Sequence, residues 1–186
     1  KKQKEERIEA GEGDSIKDVK LFTSDTANAL YLQPIKSLAL KGGRNGVITL
    51  MFALKSAIEN YFQVESNEIG AEIMGDEESP NILIYEAAEG SLGVLSQFID
   101  SPLIYKHIME EAYRICYFKD GMEIEGEVLP ATYDDLLSYY NQYYHQQIDR
   151  NLIRDALQNL LQSSVTIISN KAFNTYEDHY HFLQSA

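Results

Sequence analysis

The longest helical pattern in the sequence covers residues 130–161, and it constrains the fold more than any other stretch. Its apolar residues recur in steps of three and four, which is the spacing of one helix face. Thr132 followed by Asp135 resembles a capping box, and Asp149 is placed to cap a second helix over residues 150–162. We therefore predict a long helical pair that begins at Thr132 and breaks near Asp149. The apolar positions are Leu137, Tyr140, Tyr144, Ile148, Leu152, Ala156 and Leu160.

Shorter patterns upstream predict a small sheet and the helices that cover it. Residues 16–40 are β-like, and residues 47–64 repeat apolar side chains at helical spacing. Strands are expected at residues 69–74 and at residues 81–86 (NILIYE), and Ser101-Pro102 has the composition of a helix start. We therefore predict an α/β fold, in which a small mixed β-sheet is covered by three to four helices and ends in the long helical pair.

These patterns place one domain in the middle of the chain. Residues 1–15 mix acidic and basic side chains without a periodic apolar face, which is typical of a charged arm or linker. Residues 16–168 are expected to form the single folded domain, with a candidate strand at residues 165–168. Residues 169–186 are expected to form a polar C-terminal tail. The 186 residues lack an initiator methionine, so we expect a piece of a longer protein.

Charge and cysteine content argue against several classes of protein. The net charge of −13 disfavours direct nucleic-acid binding by this chain alone, because phosphate contacts need clusters of Lys and Arg. The single cysteine, Cys116, rules out a disulfide framework and a zinc site built from cysteines of this chain. No apolar run reaches the length of about 18–20 residues that a membrane span needs, and no signal peptide is visible. We therefore expect a cytoplasmic domain with no membrane partner.

The string TYDDLLSYYNQYYHQQIDR resembles a segment of the Mrf zinc-binding (MZB) domain. This domain occurs in the C-terminal part of certain superfamily-two DNA helicases and in DISARM-type anti-phage proteins. The resemblance extends over residues 19–161, but Thr132 and Asp135 stand where the family carries zinc-binding cysteines. The positions that match the family motif are Tyr133, Leu136, Leu137, Ser138, Tyr139, Asn141, Gln142, His145, Asp149 and Arg150.

The resemblance implies a non-catalytic accessory domain of a DNA helicase or of a helicase-associated defence protein. ATP would then be bound by motor domains in the same chain or in a partner subunit, and DNA would be reached through that complex. Because Thr132 and Asp135 replace two cysteines, we expect no zinc and no other cofactor in this fragment. A helix cap and densely packed tyrosines are expected to replace the metal. Ligands donated by another chain remain an open alternative.

A candidate acidic cluster leads to an alternative function. A divalent-metal nuclease would use carboxylates near two predicted strand ends, although no Glu-x-Lys pattern follows here. A second interpretation is that these acids pair with Arg150 or Arg154 and so fix the sheet to the helix. A pure protein–protein assembly domain is the other alternative, and no catalytic residue is assigned. The cluster consists of Glu65, Glu68, Glu86 and Glu89.

Two glycines follow the strand predicted at residues 81–86. Gly90 and Gly93 predict a tight turn from this strand into a helix. A phosphate-binding loop is disfavoured at this turn, because Glu86 and Glu89 would repel a phosphate group.

Overall fold

The computed structural model describes residue 24 and residues 26–88, 93–119, 122–123 and 129–166. Its elements in chain order are β1 (Ala29–Leu32), α1 (Arg44–Phe62), β2 (Ile69–Met74), β3 (Asn81–Glu86), α2 (Gln97–Asp100), α3 (Pro102–Ile115), β4 (Phe118–Lys119), β5 (Met122–Glu123) and α4 (Arg154–Gln162). Short 3₁₀ helices cover Lys36–Leu38, Tyr139–Tyr144 and Arg150–Leu152.

Helix α1 is the central element of the core. Every residue from Gly46 to Leu54 is buried, because α1 packs against the sheet on one side and against α3 on another. Gly46 is required near its start, since an added Cβ would lie 2.1 Å from the carbonyl oxygen of Lys41. The helix ends where Gln63 adopts a left-handed conformation and its N–H bonds to the carbonyl of Glu59.

The main sheet has the strand order β1-β3-β2, and both pairings are antiparallel. The central strand β3 alternates between half-buried and buried residues, and it turns Ile82, Ile84 and Glu86 towards the core. Strands β4 and β5 form a separate two-stranded hairpin. Strand β2 is therefore an edge strand of the three-stranded sheet.

Most of the predicted elements upstream of residue 129 are confirmed. The α/β class, the helix over residues 47–64 and the strands at residues 69–74 and 81–86 match α1, β2 and β3. Helix α3 begins as predicted, with the Ser101 hydroxyl accepting a hydrogen bond from the N–H of Leu103 at 3.3 Å. The β-like region of residues 16–40 contains one described strand, β1. None of the described helices is long and apolar enough to cross a membrane.

The long helix predicted from Thr132 is wrong. Residues 133–136 form turns, a 3₁₀ helix follows at Tyr139–Tyr144, and Asn141 inside it has non-helical angles (φ −115°, ψ 19°). Thr132, Asp135 and Asn141 bond through their side chains to nearby backbone groups, which competes with the helical hydrogen-bond ladder. The cap predicted at Asp149 is confirmed, but it begins the 3₁₀ helix at Arg150–Leu152, and α4 starts only at Arg154.

Several expectations concern residues outside the described ranges. The charged arm of residues 1–15, the tail of residues 169–186, Glu89 and Gly90 all lie there. Residues 165 and 166 of the candidate terminal strand carry no regular structure, and its last two residues are outside the described ranges. Gly93 is described, and its φ of 67° fits the predicted turn.

Candidate functional site

A buried ion pair joins the two ends of the segment formed by residues 130–150. Arg150 donates from Nη2 to Oδ2 of Asp135, and the two side chains are 2% and 0% exposed. Arg150 also donates from Nε to the carbonyl of Pro130 at 3.2 Å, and its backbone N–H reaches the same oxygen at 2.9 Å. The ring of Tyr117 lies 5.4 Å from the guanidinium carbon. The Asp135–Arg150 pair therefore anchors both ends of the segment.

Asp135 receives further hydrogen bonds from Thr132. The backbone N–H of Thr132 donates to Oδ1 at 2.8 Å, and its hydroxyl donates to Oδ2 at 2.6 Å. A buried carboxylate is tolerated only when charge and hydrogen bonds compensate for the water it has lost. These contacts meet that condition. The two positions where the resemblance places lost zinc ligands, Thr132 and Asp135, are thus directly bonded to each other.

Cys116 lies close to this pair and is fully buried. Burial raises the pKa of the Cys116 thiol to about 12, while the nearby Arg150 lowers this pKa and Asp135 raises it. A thiol with such a pKa is protonated at neutral pH, so it is not a nucleophile.

The described residues do not fit a structural zinc site. Such a site uses four cysteine or histidine ligands in tetrahedral geometry. Within the described ranges, no three His, Cys, Asp or Glu side chains are placed to hold a metal ion. Beside Cys116 and Asp135 lies the guanidinium of Arg150, which already supplies a positive charge there. His179 and His181 lie outside the described residues.

Three residues of the family motif form a hydrogen-bonded framework inside the segment. The Asn141 carbonyl oxygen accepts from the N–H of Ser138 at 2.8 Å, and its amide donates to the carbonyl of Leu136 at 2.7 Å. Nε2 of His145 lies 3.0 Å from the Ser138 carbonyl and 2.9 Å from Oδ1 of Asn141. Both of these oxygen atoms are hydrogen-bond acceptors, so Nε2 carries a proton. These motif residues therefore maintain the irregular backbone.

Asp149 connects the segment to the core helix. Its carboxylate accepts from the N–H of Asn151 at 2.9 Å, and its own N–H donates to the hydroxyl of Thr49 at 3.1 Å. Thr49 is a buried residue of α1 that also donates to the carbonyl of Asn45 at 2.8 Å. Thr49 could not be identified from the sequence, because a threonine in a helix segment that is buried on all sides gives no local indication of such a contact.

The prediction that tyrosines fill the volume of a lost metal is wrong for most of them. Only Tyr144 is substantially buried, and its ring packs 5.5 Å from that of Phe52. Gln142 of the motif is also exposed. The exposed tyrosines therefore belong to the surface of the segment. They are Tyr133, Tyr139, Tyr140 and Tyr143.

The described members of the acidic cluster have separate structural roles. Glu86 is buried, and its carboxylate accepts from the N–H of Leu95 at 2.8 Å and from the amide of Asn28 at 3.0 Å. Glu68 is half-buried and accepts from the N–H of Glu65 at 2.7 Å. The ion pair of Arg150 is with Asp135 rather than with a described member of this cluster, and the alternative pairing with Arg154 stays a prediction.

An open cleft lies next to the segment. Its volume is about 740 Å³, and it runs between residues 69–72 of β2, one side of α1 and residues 134–144. Phe52 of α1, Tyr140 and Tyr143 all contribute to its lining. We call this feature the tyrosine cleft.

The comparison with protein families gives one finding. The family model described as the MrfA Zn-binding domain (MZB) matches residues 50–121, a range that covers less than half of the chain. This range includes most of α1, the strands β2 and β3, and α3. The similarity to the MZB family is thereby confirmed over these residues, while the motif at residues 133–150 lies outside the match. No curated protein and no solved structure matches the chain significantly.

Proposed function

We propose that this chain, an MZB-like domain over residues 50–121, is a non-catalytic accessory domain of a DNA helicase or of a helicase-associated protein, including proteins of anti-phage defence. The family match is the single observation that carries this proposal. The motor domains would lie in the same polypeptide or in a partner subunit. The accessory domain would support the motor or dock a partner, and DNA would be reached through the complex.

We also propose that the domain works without bound zinc. In place of a metal, the Asp135–Arg150 pair would hold residues 130–150 in position against α1. The pair is suited to this role because it is buried and because Arg150 bonds the start of the segment through the Pro130 carbonyl. The Asp149–Thr49 bond adds a direct connection to α1.

The nuclease alternative receives no support from the described acidic side chains. A metal-dependent nuclease needs carboxylates that are free to bind the ion. Glu86 has both carboxylate oxygens engaged, and these contacts hold the end of β3 to the backbone of Leu95 and to the side chain of Asn28. The assembly alternative is favoured by the tyrosine cleft.

Purification of the complete natural protein with its associated subunits would test the proposed function. We expect a nucleotide-binding motor on the same polypeptide or in a stoichiometric partner. We also expect the isolated chain to neither hydrolyse ATP nor cleave plasmid DNA with Mg²⁺ or Mn²⁺. Asp135→Ala should reduce DNA unwinding by the complete assembly. The matched control is Glu110→Ala, which changes an exposed residue of α3 and should leave unwinding unchanged.

Two results would contradict the proposal. One is ATP hydrolysis or DNA cleavage by the isolated chain that persists through repeated purification. The other is a complete natural assembly that contains no motor protein.

A further inference from the structure

One edge of β2 is not paired with any of the strands that the structure describes. The N–H of Ala87 donates to the carbonyl of Glu68 at 2.7 Å. The backbone of Glu68 therefore points towards the β3 side of the pair. Bonded and non-bonded positions alternate along an antiparallel pair. Gly70 and Glu72 therefore bond to β3, while Ile69, Ala71 and Ile73 direct their N–H and C=O groups away from it. In the described part of the chain, no strand pairs with this edge.

This edge forms one wall of the tyrosine cleft. Residues 69–72 line the cleft together with most residues of the stretch 134–144. A volume of about 740 Å³ lies within the range of about 300–1,000 Å³ that is usual for ligand sites in proteins. The cleft therefore has room for several residues of an extended peptide running along β2.

The chemistry of the walls selects a basic occupant. Glu72 and Asp134 line the cleft and are exposed. The Tyr140 and Tyr143 side chains are 68% and 86% exposed, and aromatic faces attract lysine and arginine through cation–π interactions. The net charge of −13 adds a long-range attraction for positive segments.

The same walls disfavour single-stranded DNA. Two basic side chains line the cleft, and both are paired with carboxylates: Lys55 with Glu59, and Arg114 with Glu111. Nucleic-acid grooves instead combine stacking aromatic rings with cations that contact the phosphates. The exposed tyrosines alone do not compensate for the surrounding negative charge.

We propose that the tyrosine cleft docks an extended, basic segment of a partner protein, which adds as a fourth strand along the edge of β2 that no described strand occupies. Backbone hydrogen bonds to Ala71, which is half-buried whereas Ile69 is only 2% exposed, would give the segment its register. Arginine or lysine side chains at alternate positions would contact Glu72, Asp134 and the tyrosine rings. This inference deepens the partner-docking part of the proposed function and rests on it for the biological setting.

The test uses a fluorescein-labelled peptide of eleven residues with alternating arginine and valine, whose binding to the full chain is followed by fluorescence anisotropy. Ala71→Pro removes an outward N–H without touching the bonds between β2 and β3, and proline is tolerated on edge strands. The matched control is Ala29→Pro, which removes an outward N–H from β1 on the opposite edge of the same sheet. Circular dichroism and thermal unfolding establish that both variants fold.

We expect micromolar binding that weakens with added salt, a loss of about tenfold or more for Ala71→Pro, and no loss for Ala29→Pro. Glu72→Lys should also weaken binding. A peptide with N-methyl groups at alternate positions should bind at least about tenfold more weakly, which tests strand addition even if Ala71→Pro does not fold.

The inference is overturned if the N-methylated peptide binds as tightly as the parent peptide. It is also overturned if an alternating glutamate–valine peptide binds equally well, if oligothymidine binds more tightly than the basic peptide, or if no probe binds. The peptide assay needs no motor protein, so its failure refutes this inference alone. A natural assembly without a motor would refute the proposed function alone.

Discussion

Replacing Arg150 with methionine removes the positive charge from the Asp135–Arg150 pair while keeping a long apolar side chain. The carboxylate of Asp135 then stays buried without its main partner, because both side chains are almost fully shielded from solvent. Breaking a buried pair on one side costs about 3–5 kcal/mol. Domains are commonly stable by only about 5–15 kcal/mol, so this single change should remove a large part of the total.

Urea and thermal unfolding monitored by circular dichroism measure the effect. At roughly 2–4 °C per kcal/mol for a chain of this size, we expect the Tm of Arg150→Met to fall by about 6–20 °C. The double variant Asp135→Leu/Arg150→Met should recover most of the loss, because replacing both charges with apolar groups is often close to neutral.

The exposed ion pair between Lys41 and Asp155 provides the control. Its atoms are 2.7 Å apart, but the side chains are 61% and 45% exposed. Lys41→Met should therefore change the free energy of unfolding by less than about 1 kcal/mol. If Arg150→Met is as mild as Lys41→Met, or if the purified chain contains stoichiometric zinc, the argument that the ion pair stabilises this region in place of metal is refuted.

Three further outcomes are expected from groups described above. The pKa of Cys116 is about 12 in the folded chain and about 8.5 in the unfolded chain. Its contribution to stability is therefore complete below about pH 8.5 and is lost as the pH rises towards 12. The free energy of unfolding, measured by urea titration at several pH values in this range, should decrease less steeply for Cys116→Ala than for the wild type. Glu86→Ala should lower the free energy of unfolding by about 2–4 kcal/mol, since the N–H of Leu95 and the amide of Asn28 lose their acceptor, and an unchanged urea midpoint would contradict this role. Asn141→Ala removes three hydrogen bonds and should cost about 2–4 kcal/mol by the same measurement, with exposed Gln142→Ala as a neutral control.

Local patterns were sufficient to predict the core of the fold. Helix α1 is recognisable because its apolar residues repeat at helical spacing, and β3 because NILIYE is a short apolar run. The start of α3 follows from the Ser101-Pro102 pair. Each of these elements is determined by its own residues and by burial against neighbours of ordinary apolar character.

The segment of residues 130–150 could not be predicted in this way. Its apolar spacing imitates a helix, but Tyr140, one of the supposed inner positions, is mostly exposed. The backbone is determined instead by side-chain bonds from Asp135 and Asn141, and by an ion pair to Arg150 across fifteen positions of sequence. Periodicity carries no information about a polar contact of this kind.

The position of Glu86 was predictable from the sequence, but its role was not. Ile82 and Ile84 define the inner face of β3, and a period of two places Glu86 on the same face. The alternation therefore indicated a buried carboxylate. Its acceptor role towards Leu95 and Asn28 depends on loops that the strand pattern does not describe.

The positively charged group that contacts both Pro130 and Asp135 is the guanidinium of Arg150, which is part of the polypeptide itself. A domain whose folding is coupled to a metal responds to metal supply and to chelators. A guanidinium is covalently part of the chain and cannot be extracted by a chelator. On the proposal that the domain works without zinc, this corner of the molecule folds without any supply of metal ions.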